Sequence, residues 1–144
     1  MAFNRRIAFT ALGLGVLSLS LDAQSSETFK ARLSALPADA RTRASLAGSG
    51  AASSVLTGTK LVITGSFAGL LSPATSASLH SSVAAGVRGP AIGDLTISKA
   101  AGGTITGSFE LTPQQLTSLR TGGLYVEIHS EKAPDGVLWG WLLR

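Results

Sequence analysis

No cysteine occurs in this 144-residue chain. That excludes a disulfide framework, a thiol nucleophile and a lipid-acceptor cysteine. Charge is scarce too: Asp, Glu, Lys and Arg make up 14% of the residues, against about a quarter in ordinary globular chains. Positive mean hydropathy accompanies this, so the composition is not that of a disordered segment. Only two histidines are present, His80 and His129. No internal repeat is visible. No apolar run reaches the roughly 20 residues that a membrane-spanning helix needs.

The longest apolar stretch lies near the start. Arg5 and Arg6 form a positive flank, fifteen uncharged residues from Ile7 to Leu21 follow, and the chain turns polar at Gln24-Ser25-Ser26-Glu27. This is the tripartite pattern of a secretory signal peptide. Residues 1–23 are read as that signal, leaving residues 24–144 as a single domain. The rival reading is an N-terminal anchor. Removing 1–23 takes away Arg5, Arg6 and Asp22 and leaves ten basic against seven acidic residues, net +3. The ten are scattered singly from Lys30 to Arg144, whereas a nucleic-acid footprint concentrates them on one face. A nucleic-acid partner is therefore not expected. Export to the periplasm or the extracellular space is.

Apolar alternation along the rest of the chain has the period of strands. Phe29, Ala31 and Leu33 alternate with Lys30, Arg32 and Ser34 until Pro37. Ser45–Val55 is a second strand of small side chains or a low-complexity loop. Lys60–Phe67 places Leu61, Ile63 and Phe67 on one face, and Val62 on the other suggests cover on both sides. Thr75–Val83 turns Ala77, Leu79 and Val83 inward. Gly86, Gly89 and Pro90 punctuate a loop. Ala91–Ser98 and Thr104–Leu111 form a hairpin. Thr112, Pro113 and Gln115 then supply an N-cap, a first helical proline and a capping box, with Leu116 and Leu119 facing the core. In the strand that follows, Leu124, Val126 and Ile128 face in, and Tyr125, Glu127 and His129 face out. Pro134-Asp135-Gly136 makes a turn. In the last strand Trp139 and Trp141 share a face and close the core or, if exposed, form an apolar patch that suggests a partner. Around seven strands and one short helix predict an all-β domain, an immunoglobulin-like antiparallel sandwich or barrel.

Several of these pieces together resemble the CHRD domain family. They are the Phe29–Leu33 strand, Phe67-Ala68-Gly69-Leu70, Ala77-Ser78-Leu79-His80, and the Gly-Pro loop before Ile92-Gly93-Asp94. The most specific is Leu111-Thr112-Pro113-Gln114-Gln115-Leu116 leading to Gly123 through Ser130, followed by Ala133-Pro134-Asp135-Gly136 and Trp139-Gly140-Trp141-Leu142. The resemblance covers most of residues 28–144. It implies an immunoglobulin-like fold with a loose likeness to copper/zinc superoxide dismutases and no defined biochemical role. This chain has Ser78-Leu79-His80 where the family often has His-x-His, and Trp139 where it usually has Arg.

Candidate chemistry is sparse. No Gly-x-Ser-x-Gly elbow exists and no carboxylate is arranged to orient a histidine base, so no catalytic residue is assigned. Gly48-Ser49-Gly50 lacks the Gly-Lys of a phosphate loop and reads as a turn. His80 and His129 stand at strand positions opposite in parity to Leu79 and Ile128, so both project outward, with Glu127 beside His129. They carry ordinary hydrogen-bonding roles or, with Glu127, a metal set for zinc or copper; two imidazoles are short of the usual three or four ligands. Tyr125 is read as a hydrogen-bonded corner tyrosine, with a place in a binding surface as the alternative. The reading is a non-enzymatic exported module that binds a protein or an envelope ligand, with no cofactor, no nucleic acid and no transmembrane segment once the signal is removed. Mass spectrometry of the exported protein should find its N-terminus near Gln24; a retained Met1 contradicts the signal reading.

Overall fold

The structure is a computed structural model, and it describes residues 25–144. The expected signal segment 1–23 lies outside the described residues. Eight antiparallel strands close into a barrel: β1 (Ser26–Ala35), β2 (Ser49–Thr57), β3 (Lys60–Ala68), β4 (Ala74–Ser81), β5 (Ala91–Ile97), β6 (Gly103–Glu110), β7 (Leu124–Ser130) and β8 (Leu138–Trp141). Their order around the wall is β1-β2-β3-β6-β5-β4-β7-β8, with β8 returning to β1. Eight strands enclose a space that side chains can fill. Phe29, Leu33, Leu61, Ile63, Leu79, Ile105, Val126, Ile128 and Leu138 fill it here.

The all-β expectation holds, and of the sandwich or barrel expected the chain forms a closed barrel, not the two-sheet immunoglobulin-like arrangement. Two short seams make the closure. β8 meets β1 at Ser34↔Trp139 and Ala35↔Leu138, with a further bridge at Lys30↔Leu143. β5 meets β6 only at Thr96↔Thr106 and Ile97↔Ile105. Strand alternation carries no record of such seams, because a side chain points inward in a sandwich and in a barrel alike.

Two connections cross the barrel ends. Residues 69–73 run from β3 to β4 past the β5–β6 turn, where Ala101 and Ala100 carbonyls accept from Leu70 and Ala74 amides. The second is α1 (Pro113–Arg120), whose capping box between Thr112 and Gln115 is complete. Leu119 is buried and Leu116 packs against the core. A short 3-10 turn, Arg43–Ser45, lies between β1 and β2.

Three expectations change. Val62 is 41% exposed and Val83 is 93% exposed. The first stands on the outer wall of β3, and the second lies beyond the end of β4. The third change is larger. Trp139 and Trp141 stand outside the barrel, because Leu138 and Leu142 take the inward places on their strand and are fully buried. Val137, just before β8, is part of the core.

Candidate functional site

Alternation in β7 breaks down in an informative way. Leu124, Val126 and Ile128 are buried in the barrel, as their parity requires, yet Tyr125 and Glu127 are also only 1% exposed. Tyr125, Glu127 and His129 point outward but lie under other parts of the chain. The cover comes from the segment after β4 (residues 82–90), from the turn 131–137, and from the two tryptophans of β8.

Register sets the layout. β4 pairs with β7 so that His80 faces Tyr125, Ser78 faces Glu127 and Ser76 faces His129. On the other side, Trp141 faces Tyr125 and Trp139 faces Glu127. One row is aromatic. His80 stacks on Tyr125 with centroids 4.9 Å apart, Tyr125 stacks on Trp141 at 4.7 Å, and Trp139 meets Trp141 edge-on at 4.8 Å. Such pairs contribute about 0.5–1.5 kcal/mol each beyond their buried area. A register shift in the β4–β5 ladder falls between Leu79 and His80. A shift of this kind re-aims the side chain next to it.

Two neighbours in this row, His80 and Tyr125, grip Gly89. The Gly89 amide donates to the Tyr125 hydroxyl at 3.0 Å, and the hydroxyl donates back to the Gly89 carbonyl at 3.3 Å. His80 Nδ1 donates to the same carbonyl at 2.8 Å, which leaves Nε2 to accept from the Ser78 hydroxyl at 2.7 Å. The backbone passes so close to β4 that a Cβ on Gly89 would lie 1.8 Å from the Ser81 carbonyl oxygen. Only glycine fits there. Trp141 Nε1 donates to Ser82 Oγ at 3.2 Å and fixes the start of the same segment.

The second row is electrostatic. Glu127 Oε1 accepts from Arg88 Nη1 at 3.0 Å and from His129 Nε2 at 3.1 Å. His129 Nδ1 donates to the Pro134 carbonyl at 2.7 Å. Neither a carbonyl nor a carboxylate offers a proton, so this pair of neighbours favours the protonated ring, with both nitrogens donating. Burial pushes the Glu127 carboxyl up, but the hydrogen bond from His129 and the charges of Arg88 and His129 outweigh it. The group sits below its ordinary 4.5. The Glu127 hydrogen bond in turn lifts His129 above its ordinary 6.5, against the opposing effect of burial. Arg88 Nη2 also donates to the Asp135 carbonyl at 2.7 Å. Gly136 follows at φ +120°, and a Cβ there would lie 3.0 Å from Glu127 Oε1. One carboxylate thus ties β7 to both covering segments.

The structure brings Glu127 and His129 together and separates them from His80. His80 faces Tyr125, which lies four residues from His129 along β7, roughly 13 Å at about 3.3 Å per residue. Among the described residues no group of three His, Cys, Asp or Glu side chains is placed to hold a metal ion. Among the described residues the one buried side-chain acceptor without a hydrogen-bond partner is Glu127 Oε2. Tyr125 has the hydrogen-bonded role expected of it. Arg88, Gly89, Ser78 and Gly136 escaped the sequence reading. The signal for them was Tyr125, Trp139 and Trp141 together at outward parity, since three large aromatics on one outer face imply that the face is covered.

Among the described residues no helix is long and apolar enough to cross a membrane. The profile of the CHRD domain matches residues 13–142. No curated protein and no solved structure gives a match.

The ion pair has a pH signature. Stabilisation from His129 is complete below its unfolded value near 6.5 and is lost as pH rises through its raised folded value. Stabilisation from Glu127 is complete above 4.5 and is lost as pH falls through its depressed folded value. Denaturant midpoints of the wild type and His129→Gln should differ most between pH 4.5 and 6.5. The difference there should be about 2 kcal/mol, the order of a hydrogen bond to a charged group. It should shrink in alkali; a gap independent of pH contradicts the imidazolium assignment.

Proposed function

Because the chain belongs to the CHRD family, we propose that it works as an exported, non-enzymatic module that binds a protein or envelope ligand on the outer surface of its barrel. The observation that supports this reading is the employment of the polar groups in the candidate site, Glu127 Oε2 alone excepted. Both nitrogens of each imidazole are hydrogen-bonded, the Tyr125 hydroxyl is committed to Gly89, and Glu127 is neutralised by two cations while only 1% exposed. A general base or nucleophile needs a reachable lone pair and a place for substrate beside it. These groups offer neither. What they do is hold residues 82–90 and 131–137 against the wall. The composition adds support: no cysteine, few charges, and an N-terminal stretch with the pattern of a secretory signal.

One observation favours a rival reading, a zinc or copper ion on His80, His129 and Glu127: the buried, unpartnered Oε2 of Glu127. Such an ion needs imidazole lone pairs. It would therefore have to strip the Nε2 proton from His129 and displace the Ser78 hydroxyl from His80. It would also have to draw together two strand positions roughly 13 Å apart.

Elemental analysis after dialysis against zinc and, separately, copper decides between the two. The proposal expects well under one ion per chain and no change in melting temperature. One retained ion per chain, released by His129→Gln, would overturn it.

A further inference from the structure

The seam where β8 closes onto β1 carries side chains that the locked site does not use. Ser34 pairs with Trp139, and Lys30 exchanges two backbone hydrogen bonds with Leu143 at 2.7 and 2.9 Å. Arg32 therefore stands beside Trp141 on the outer wall, because Ala31 and Leu33 on either side of it are buried in the core. Lys30, Arg32 and Leu143 are exposed, and the two indoles are partly so.

Three features narrow what this surface takes. The indoles are already fixed: Trp141 is stacked on Tyr125 and hydrogen-bonded to Ser82, and Trp139 is packed edge-on against Trp141. A ligand that meets them loses little side-chain entropy in the protein. The cations are uncompensated. Among the described residues Lys30 and Arg32 form no ion pair, while the nearby carboxylates are taken: Glu27 is held by Arg120 and Arg144, and Glu127 by Arg88 and His129. The face is also set into the wall. Indoles that are mostly covered and lie against the barrel wall do not protrude as insertion into a bilayer requires.

We propose that Trp139, Trp141, Arg32 and Lys30 form a docking surface for an acidic polysaccharide, whose ring faces lie on the indoles and whose anionic groups pair with Lys30 and Arg32. A second copy of the chain is a poor occupant, since it would bring the same positive charge to the contact. Nucleic acid is disfavoured because binding there rests on more phosphate contacts than two cations supply. The proposal names the ligand class for the binding role argued above and rests on that reading.

The probe is polygalacturonate, with neutral dextran as the comparison, in affinity gels and tryptophan fluorescence titrations of the mature chain. The expected result is retention by polygalacturonate, none by dextran, a shift in tryptophan emission, and loss of binding at high salt. Arg32→Glu and Lys30→Glu carry exposed charges and should fold normally. Each should weaken binding roughly tenfold, about 1.4 kcal/mol, while Arg41→Glu, elsewhere on the surface, leaves it unchanged. Trp139→Ala should abolish the emission shift. No binding to polygalacturonate overturns the proposal. So does binding indifferent to Arg32→Glu, or tighter binding to single-stranded DNA or to anionic phosphatidylglycerol vesicles. Such a failure removes the polysaccharide alone, since the non-enzymatic reading stands or falls on the metal measurement.

Discussion

A carboxylate on the outside of a β-barrel normally belongs to water. Glu127 does not, and much of the outer architecture depends on how its charge is met. Arg88 comes from one covering segment, His129 from the next outward position on the same strand, and the Pro134 and Asp135 carbonyls hold those two cations in place. Desolvating a carboxylate is costly unless it is paired and hydrogen-bonded. Here the pairing also fixes where residues 82–90 and 131–137 run. The aromatic row one step along the ladder does the same work with dispersion and two hydrogen bonds to Gly89. Together they convert one wall of the barrel into a second, smaller buried layer.

That layer explains why the residues with the most chemical character offer so little chemistry. Histidine, glutamate, arginine and tyrosine within one cluster resemble a catalytic constellation in composition. Their hydrogen-bonding capacity is nevertheless almost wholly spent inward, on the chain's own backbone and on one another. On the binding reading proposed above, a ligand meets the groups that remain unspent on the surface. The clearest instance is the β8–β1 seam, where free cations and fixed indoles meet.

The sequence made the barrel's interior legible because strand parity is a local property. Phe29, Leu61, Leu79, Val126 and Ile128 could be placed inside from their neighbours alone, and the capping box at Thr112 and Gln115 announced α1. Barrel closure was not legible, because it rests on a few pairings between segments distant in the chain, such as Ser34 with Trp139. The locked layer was half legible. Outward parity for His80, Glu127 and His129 was correct, and so was a hydrogen-bonded Tyr125. What alternation cannot report is a second cover: Arg88 and Gly89 lie in a loop without periodicity, and their partners are 39 and 36 residues away. Trp139 and Trp141 misled for the same reason, since large aromatics suggest the main core when a small outer one also exists.

Gly89 is clamped to the wall as firmly as a strand, and amide hydrogen exchange at that position tests this directly. Its amide, donated to the Tyr125 hydroxyl, should exchange as slowly as those of β7, while the exposed stretch from Val83 to Gly86 exchanges freely. Rapid exchange at Gly89, matching its loop neighbours, would mean that the outer layer is not locked and that its polar groups are open to a ligand after all.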